Sequence, residues 1–487
     1  MMVLINLLFS QINPTVCQKI PLQTFKVDRN FSTRAKITSR TLAVGEAFGL
    51  GLDETRRFPI FSKFQIEVKS GEVILITGDS GSGKSTLLHE ISTQIASLED
   101  GNKEFPNGVV SNSSIEIDPN EVLIEGVGKD TAEAIKILSM AGLNEAFLML
   151  RKYKQLSDGQ KYRYHLAKMI DSESDVWVFD EFCAVLDRTT AKVVSYALQK
   201  MARKLSKTVI VATTHDDLVQ DLKPDTWVTK GFGDAVNVKT YTDIPKMFPK
   251  NCTLLHDLKV LECTHEELKE LEKFHYRGSN AGIIKKCFKA VIGSEIVAGI
   301  MFVYPHMALR GRNAALPEFR GKVTSQKLRK INKEIVRISR VIVSPRFRSI
   351  GLGAYIVRQT LPLAGTKYVE TLAVMAQYNP FFEHAGLKRV EVDSNKAFEK
   401  DIHDLESLGF RRALLPSKHQ TMKILEKLDP SKLDYVKKFT LKNCACKKFK
   451  KVALIPRIEA LDKEAIAEAL QNVKSNALYL YWKNPNA

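Results

Sequence analysis

At 487 residues, with 44% hydrophobic and 26% charged side chains, the chain has a globular composition and is too long for one core, so several domains are expected. No apolar run reaches the roughly 18 residues that a membrane-spanning helix needs, which argues against a membrane protein. The net charge of +18 is uneven: residues 1–245 carry 29 Lys plus Arg against 31 Asp plus Glu, whereas residues 246–487 carry 44 against 24, so the whole excess is C-terminal.

The opening MMVLINLLFS is apolar, but the first basic residue is Lys19, so the positive region of a secretory leader is missing and a buried strand or loose terminus is expected. The seven cysteines, at 17, 183, 252, 263, 287, 444 and 446, are scattered and odd in number, which fits a reducing cytoplasm. Cys444 and Cys446 lack a second pair at metal-ligand spacing.

VILITGDSGSGKSTLLHEI, starting at Val73, reads as an apolar strand, a glycine loop and a helix start. It satisfies the phosphate-loop pattern from Gly78 through Asp79, Ser80, Gly81, Ser82, Gly83, Lys84 and Ser85 to Thr86. The glycines let amide groups turn toward a triphosphate, and the helix N-terminus adds its positive end. Lys84 is placed to reach the terminal phosphates and Ser85 to ligate Mg2+, so ATP and Mg2+ are the expected cofactors.

Further on, DVWVFDEF ends an apolar strand in Asp180 and Glu181, the first expected to hold Mg2+ and the second to polarise the attacking water. Another apolar strand, TVIVATTH, ends in His215, which suits a γ-phosphate sensor. With LSDGQ between the two acidic and phosphate motifs, residues 45–230 resemble the ABC-type ATPase family. The resemblance implies that Ser157, Asp158, Gly159 and Gln160 form the signature that closes over ATP on another subunit, with Asp158 where glycine is usual. It further implies that Asp187 belongs to the D-loop, that His215 and Lys84 assist catalysis by Glu181, and that a single cassette per chain works as an ATP-dependent homodimer or with a partner ATPase. Phe58 is a candidate for stacking on adenine or a core residue; the usual Q-loop glutamine is absent, and Glu125 stands in that region.

In the second half, VRISRVIVSPRFRSIGLGAYIVRQTL reads as a strand, a break at Pro345, and a glycine turn opening a helix. With YVETLAVMAQYNPFFEHAGLKRV after it and a strand, helix and hairpin before it, the segment 255–412 resembles the GNAT family of acyl-CoA-dependent N-acyltransferases. That resemblance implies acetyl-CoA or another acyl-CoA as cofactor. Arg348, Ser349, Ile350, Gly351, Leu352 and Gly353 would cradle its pyrophosphate, largely through main chain, and Asn379 would face its arm. The tyrosine usual before the second motif's glycine is Phe382, so Tyr378 or His384 is the candidate acid and Glu370 the candidate base.

The expected fold class is α/β: a P-loop ABC-type ATPase domain, then a GNAT-like α+β mixed-sheet domain and a small basic C-terminal appendix. The expected boundaries are an N-terminal extension at 1–44, the ATPase at 45–235, a linker at 236–254, the transferase at 255–412 and the appendix at 413–487. Arg310 to Arg348 holds twelve basic residues against Glu318 and Glu334, and Lys432 to Lys451 holds eight lysines. Such blocks favour a polyanion such as nucleic acid. The expected activity is therefore an ATP-gated N-acyltransferase, cytoplasmic and without a membrane partner, acting on nucleic acid. Acylation of a protein or small amine, or a CoA-sensing switch that has lost catalysis, are the alternatives.

Overall fold

The computed structural model describes residues 23–33, 36–51, 56–98, 105–274, 282–391, 396–443, 454–471, 473 and 477–486. The apolar opening, Cys17, Cys444, Cys446 and the distal lysines of the second basic block lie outside the described residues. The chain forms two compact units, one of 1–280 with 287–300 and 341–356, the other of 281–286 with 301–340 and 357–487.

The first unit begins with β1 (Gln23–Thr33) paired antiparallel to β2 (Arg56–Val68), from Gln23 opposite Val68 to Thr33 opposite Arg56. A six-stranded sheet follows, built of β3 (Val73–Gly78), β4 (Val109–Ser111), β5 (Val176–Phe179), β6 (Thr208–Thr213), β7 (Thr226–Lys230) and β8 (Val236–Thr240) in the order β4-β5-β6-β3-β7-β8. All neighbours are parallel except β7 and β8. β3, β5 and β6 are buried along almost their whole length, as unbroken apolar runs must be when both faces of a sheet are covered. The helices Asp158–Asp171 and Arg188–Leu205 pack Leu166, Met169, Val194 and Leu198 against Trp177 and Val209 on one face. On the other, the helix Lys84–Ala96 packs Leu87 and Ile91 with Phe25, Val27, Phe61 and Ile76.

Two expected boundaries move as a result. Phe25 and Val27 are buried in the ATPase core, so Gln23–Thr33 is a structural strand of that domain and not part of an extension. Residues 236–240, expected in a linker, are the edge strand β8, and Thr253 at the linker's end donates through its backbone and hydroxyl to buried Asp221 at 2.8 and 2.6 Å.

The remaining strands, β9 (Lys259–Cys263), β10 (Ile284–Ile292), β11 (Glu295–Val303), β12 (Ile335–Val343), β13 (Tyr368–Ala373), β14 (Lys388–Val390) and β15 (Leu478–Lys483), make a seven-stranded mixed sheet in the order β14-β15-β13-β12-β11-β10-β9. Gly293, at φ 59, turns β10 into β11. β12 runs parallel to β13, and β15 runs antiparallel to both β13 and β14. The tail from 413 is therefore no appendix, because β15 fills the gap between two strands made about a hundred residues earlier. The described residues between β14 and β15 are largely helical, and a core of their own joins Phe398, Leu405, Phe410, Leu425, Val436, Phe439, Ile458 and Ile466. The helix Lys463–Leu470 is capped by Asp462. Among the described residues no helix is long and apolar enough to cross a membrane, and no cluster of His, Cys, Asp and Glu is built to hold a metal.

Candidate functional site

β3 ends at Gly78 and the chain turns through Gly81 and Gly83, at φ 78 and 104, before the helix Lys84–Ala96 begins. A side chain at Gly78 has no room: a Cβ there would lie 2.1 Å from the Lys230 carbonyl oxygen and 3.1 Å from Ser82 Oγ. With φ at 150 as well, the position tolerates only glycine. Gly78→Ala should strain the loop by about 1–3 kcal/mol and weaken nucleotide binding roughly five- to hundredfold, read by titration with a fluorescent ATP analogue. Unchanged affinity would show that the loop is not the nucleotide site.

The turn lines a cavity of about 430 Å³ together with Ile60, Ser80, Ser85, Thr86, Asp180, Glu181, Ala184, Thr213 and Thr214. Lys84 Nζ donates to the Asp79 carbonyl at 2.7 Å, so its ammonium is held over the loop it serves. Burial lowers its pKa, opposed by the charges of Asp79, Asp180 and Glu181. Ser85 Oγ donates to Asp180 Oδ1 at 2.9 Å, an oxygen pair of the hard type that Mg2+ takes. The donor set therefore fits a magnesium triphosphate.

Glu181 sits directly after Asp180 with φ 49, a left-handed backbone that a glutamate rarely adopts. The conformation is over-determined. Its amide donates to Asp180 Oδ1 at 2.9 Å, the next amide donates to the Ala212 carbonyl at 2.9 Å, and Thr213 Oγ1 donates to the Phe182 carbonyl at 3.0 Å. Strain fixed this firmly belongs to functional sites, and it places the carboxylate at the cavity wall.

Asn112, directly after β4, was not singled out from the sequence. Its Oδ1 accepts from the Asp180 amide at 3.2 Å, and its amide nitrogen lies 3.5 Å from the Asp180 carbonyl. It is the carboxamide that the fold brings to the acidic pair. Glu125 is exposed and does not line the cavity.

The other expected residues divide. His215 is absent from the cavity lining; its amide donates to Thr213 Oγ1 at 3.2 Å, and burial and the Arg188 guanidinium lower its pKa, against Asp216, leaving a neutral ring at pH 7. Ser157 caps the helix Asp158–Asp171, with its amide held by Gln160 Oε1 at 3.1 Å, and neither these two nor Asp158 and Gly159 line the cavity. Phe58 is not core: it is 51% exposed, opposite Phe31 at 56%, and two residues along β2 from the cavity residue Ile60.

Asp187 caps the helix Arg188–Leu205, accepting from the Thr190 amide and hydroxyl at 3.2 and 2.6 Å. It also accepts from Arg346 Nη2 at 2.8 Å. Burial would raise its pKa, but the Thr190 hydroxyl and the Arg346 guanidinium hold it at about 2. Beside it, Arg163 of the signature helix is buried and donates to the Arg346 carbonyl at 3.2 Å, while Arg348 is ion-paired to Glu145. Burial, and then the neighbouring Arg348 charge, lower the Arg163 pKa to about 10. The segment 346–348 is thus fastened to the D-loop and signature helix within one compact unit.

The expected CoA residues are less completely assembled. Ser349 and Gly351 have φ 78 and 86, and the helix Leu352–Thr360 follows, with Ile350 and Leu352 buried. The Arg348 side chain faces Glu145 and the Val343 carbonyl, so only main chain is left for a pyrophosphate. Ser349 Oγ is buried without a hydrogen-bond partner. Asn379 follows half-buried Tyr378 in a turn closed onto the Met375 carbonyl at 2.9 Å, and His384 is exposed.

Glu370 cannot act as the free base expected of it. It is fully buried, and Arg312 Nε and Nη2 donate to its two oxygens at 2.9 and 2.6 Å, with the Tyr479 hydroxyl adding a third bond at 3.0 Å. Phe382 is buried against Phe381, with ring centroids 4.1 Å apart.

Residues 61–184 match the ABC transporter family. The chain is 27% identical over 240 residues to the manganese transport system ATP-binding protein MntB of Bacillus subtilis, covering 43% of this chain and 94% of that one. It is 27% identical over 197 residues to the lipoprotein-releasing system ATP-binding protein LolD of Ehrlichia canis, covering 34% and 86%. A third relative, the methionine import ATP-binding protein MetN 1 of Oceanobacillus iheyensis, is 27% identical over 214 residues, covering 38% of this chain and 62% of its own length. Among solved structures, a dimeric post-hydrolysis ATP-binding cassette bound to ADP and phosphate aligns with TM-score 0.33 and 18% identity over 46% of this chain and all of that one. Residues 61–184 therefore carry an ABC ATPase nucleotide-binding domain.

Proposed function

We propose that this ABC ATPase domain, working from about residue 23 to 254 and closing as an ATP-bound homodimer, governs a GNAT-like acyl-CoA-dependent N-acyltransferase half that acts on nucleic acid in the cytoplasm. Within the ATPase, Lys84 and the loop amides hold the phosphates, Ser85 and Asp180 hold Mg2+, and Glu181 orients the attacking water. The cavity is lined by loop and acidic residues but by none of Ser157 to Gln160. A second copy supplying that signature completes the site, and ATP becomes part of the interface. Asn112 and His215 report the state of the acidic pair and the terminal phosphate to the rest of the unit.

For the second half, the observation that carries the reading is the pairing of β12 with β13. The two strands are in parallel register only from Ile335 opposite Tyr368 to Ile338 opposite Thr371, although β12 continues to Val343. The glycine turn at 348–353 follows the carboxyl end of β12. Bound acyl-CoA would supply a thioester whose carbonyl carbon bonds to an amine nitrogen as the C–S bond breaks, one proton leaving the nitrogen and one reaching the thiolate. The chain's part is to hold the pyrophosphate on the amides of 349–353, with Ser349 Oγ as an uncommitted polar group.

The bonds that occupy Glu370 and the burial of Phe382 favour a second reading, in which this half binds CoA without catalysis and informs the ATPase. Calorimetry with CoA, followed by labelled acetyl-CoA with ATP, Mg2+ and either duplex DNA or RNA, separates the two. Heat of binding with label transferred to one polymer supports the transferase; heat without transfer supports the sensor. No heat at millimolar CoA removes both.

A further inference from the structure

The two basic blocks differ once the side chains are placed. In the helix Pro430–Asn443 the lysines are largely neutralised: Lys432 pairs with Asp429, Lys437 and Lys438 with Asp434, and Lys442 with Asp401, at 2.9, 2.5, 2.8 and 2.7 Å. In the helix Ser325–Glu334 and the turn before it, no carboxylate among the described residues lies within ion-pair distance of Arg320, Lys322, Lys327, Arg329, Lys330 or Lys333. All but Lys327 are exposed.

Helical spacing gives these cations a shared face. At 100° per residue, Arg329, Lys330 and Lys333 fall together on the side opposite buried Ile331 and half-buried Leu328, and Lys327 flanks them. Arg329 and Lys333 are four apart and Lys330 and Lys333 three apart, spacings at which like charges repel. A merely solvated helix face would alternate its signs. The remaining polar groups are tied to backbone: Lys327 Nζ donates to the Gly321 carbonyl at 2.7 Å, Arg320 Nε donates to the Asn313 carbonyl, and Lys330 lies over the Phe319 ring at 5.4 Å. Those contacts leave the cations without an ion pair, although Lys330 helps to lower the pKa of Glu318.

We propose that this surface, Arg320 to Lys333, binds the phosphate backbone of a nucleic acid. Point charges clustered on an exposed face and not ion-paired suit a repeating polyanion, whose counterions they displace. A lipid surface fits less well, because the helix turns its apolar residues inward and offers no Trp, Phe or Leu to insert. An acidic protein partner would call for buried aromatic anchors, which the face lacks. The inference rests on the proposed action on nucleic acid only for the role of the polymer; the surface itself is independent of CoA binding.

The test uses the full chain with a fluorescent 30-base-pair duplex and a single-stranded RNA, titrated at several KCl concentrations. Six cations predict that log affinity falls with log salt with a slope of about −4 to −5. Reversing the exposed charges as Arg329→Glu, Lys330→Glu and Lys333→Glu together should flatten the slope by about 3 and weaken binding at least roughly hundredfold, with ATPase activity unchanged as a check on folding. Lys438→Ala on the neutralised helix should change neither. Equal binding and slope in the triple variant, or no binding to either polymer, overturns the proposal, as does loss of binding to anionic phosphatidylserine vesicles while the polymers bind normally. Polymer binding without CoA binding keeps this surface and removes the transferase reading.

Discussion

Glu181→Gln should keep nucleotide affinity near that of the unaltered chain and lower the ATPase rate by roughly a hundred- to ten-thousandfold. The amide keeps the shape of the side chain, and the backbone is fixed independently of it by Asp180, Ala212 and Thr213. What is lost is the carboxylate proposed to polarise water. Because the phosphates and the signature of a second copy remain able to meet, the variant should accumulate as an ATP-bound dimer, resolved from monomer by light scattering. A variant that hydrolyses ATP at the normal rate would remove Glu181 from the mechanism. A variant that binds ATP but stays monomeric would leave the nucleotide site intact and remove the homodimer.

The second large effect is on stability. Arg312 and Glu370 are each about 1% exposed and bonded through two contacts, with Tyr479 closing the set. Removing one partner leaves a charge in the interior with nothing to compensate it, which typically costs about 3–5 kcal/mol. Glu370→Ala and Arg312→Ala should each lower the free energy of unfolding by that amount, read from the shift of the urea midpoint. The double replacement Arg312→Met with Glu370→Leu should recover much of the loss, because no charge is then stranded. If Glu370→Ala folds with undiminished stability and loses only acyl transfer, the residue is a base after all. Burial also pushes the Tyr479 phenol upward, and the Glu370 carboxylate adds to it, so this hydroxyl stays protonated and keeps donating throughout the range in which the protein is handled.

The nucleotide site was legible in the sequence because its parts are local. Gly78 to Thr86 is one turn between a strand and a helix, and Asp180 and Glu181 end a strand whose apolar run announces it. Long-range pairings left no comparable trace. Glu370 looked like a lone acid on an apolar strand, the usual appearance of a catalytic group, because Arg312 stands 58 residues before it and Tyr479 109 after it. Asn112 escaped for the same reason: one amide among three serines gives no sign that it will meet the backbone of an aspartate 68 residues away. Nor does anything in the spacing of Arg346 and Asp187, 159 residues apart, suggest that one holds the other. The edges of the domains were misjudged where a strand depended on a distant neighbour, as β1 depends on β2 and β15 on β13.

The position of β15 has a consequence for how the chain comes into being. β13 and β14 are synthesised early, and each offers an open row of amides and carbonyls until Leu478–Lys483 arrives to join them. Between them lies a helical segment with its own apolar cluster, able to condense first. The nascent molecule therefore passes through a stage with two sticky sheet margins on display, the kind of surface that recruits neighbouring polypeptides into aggregates. Expression at low temperature or with abundant holdase chaperones would be the natural remedy, since both protect such margins while the last strand is still on its way.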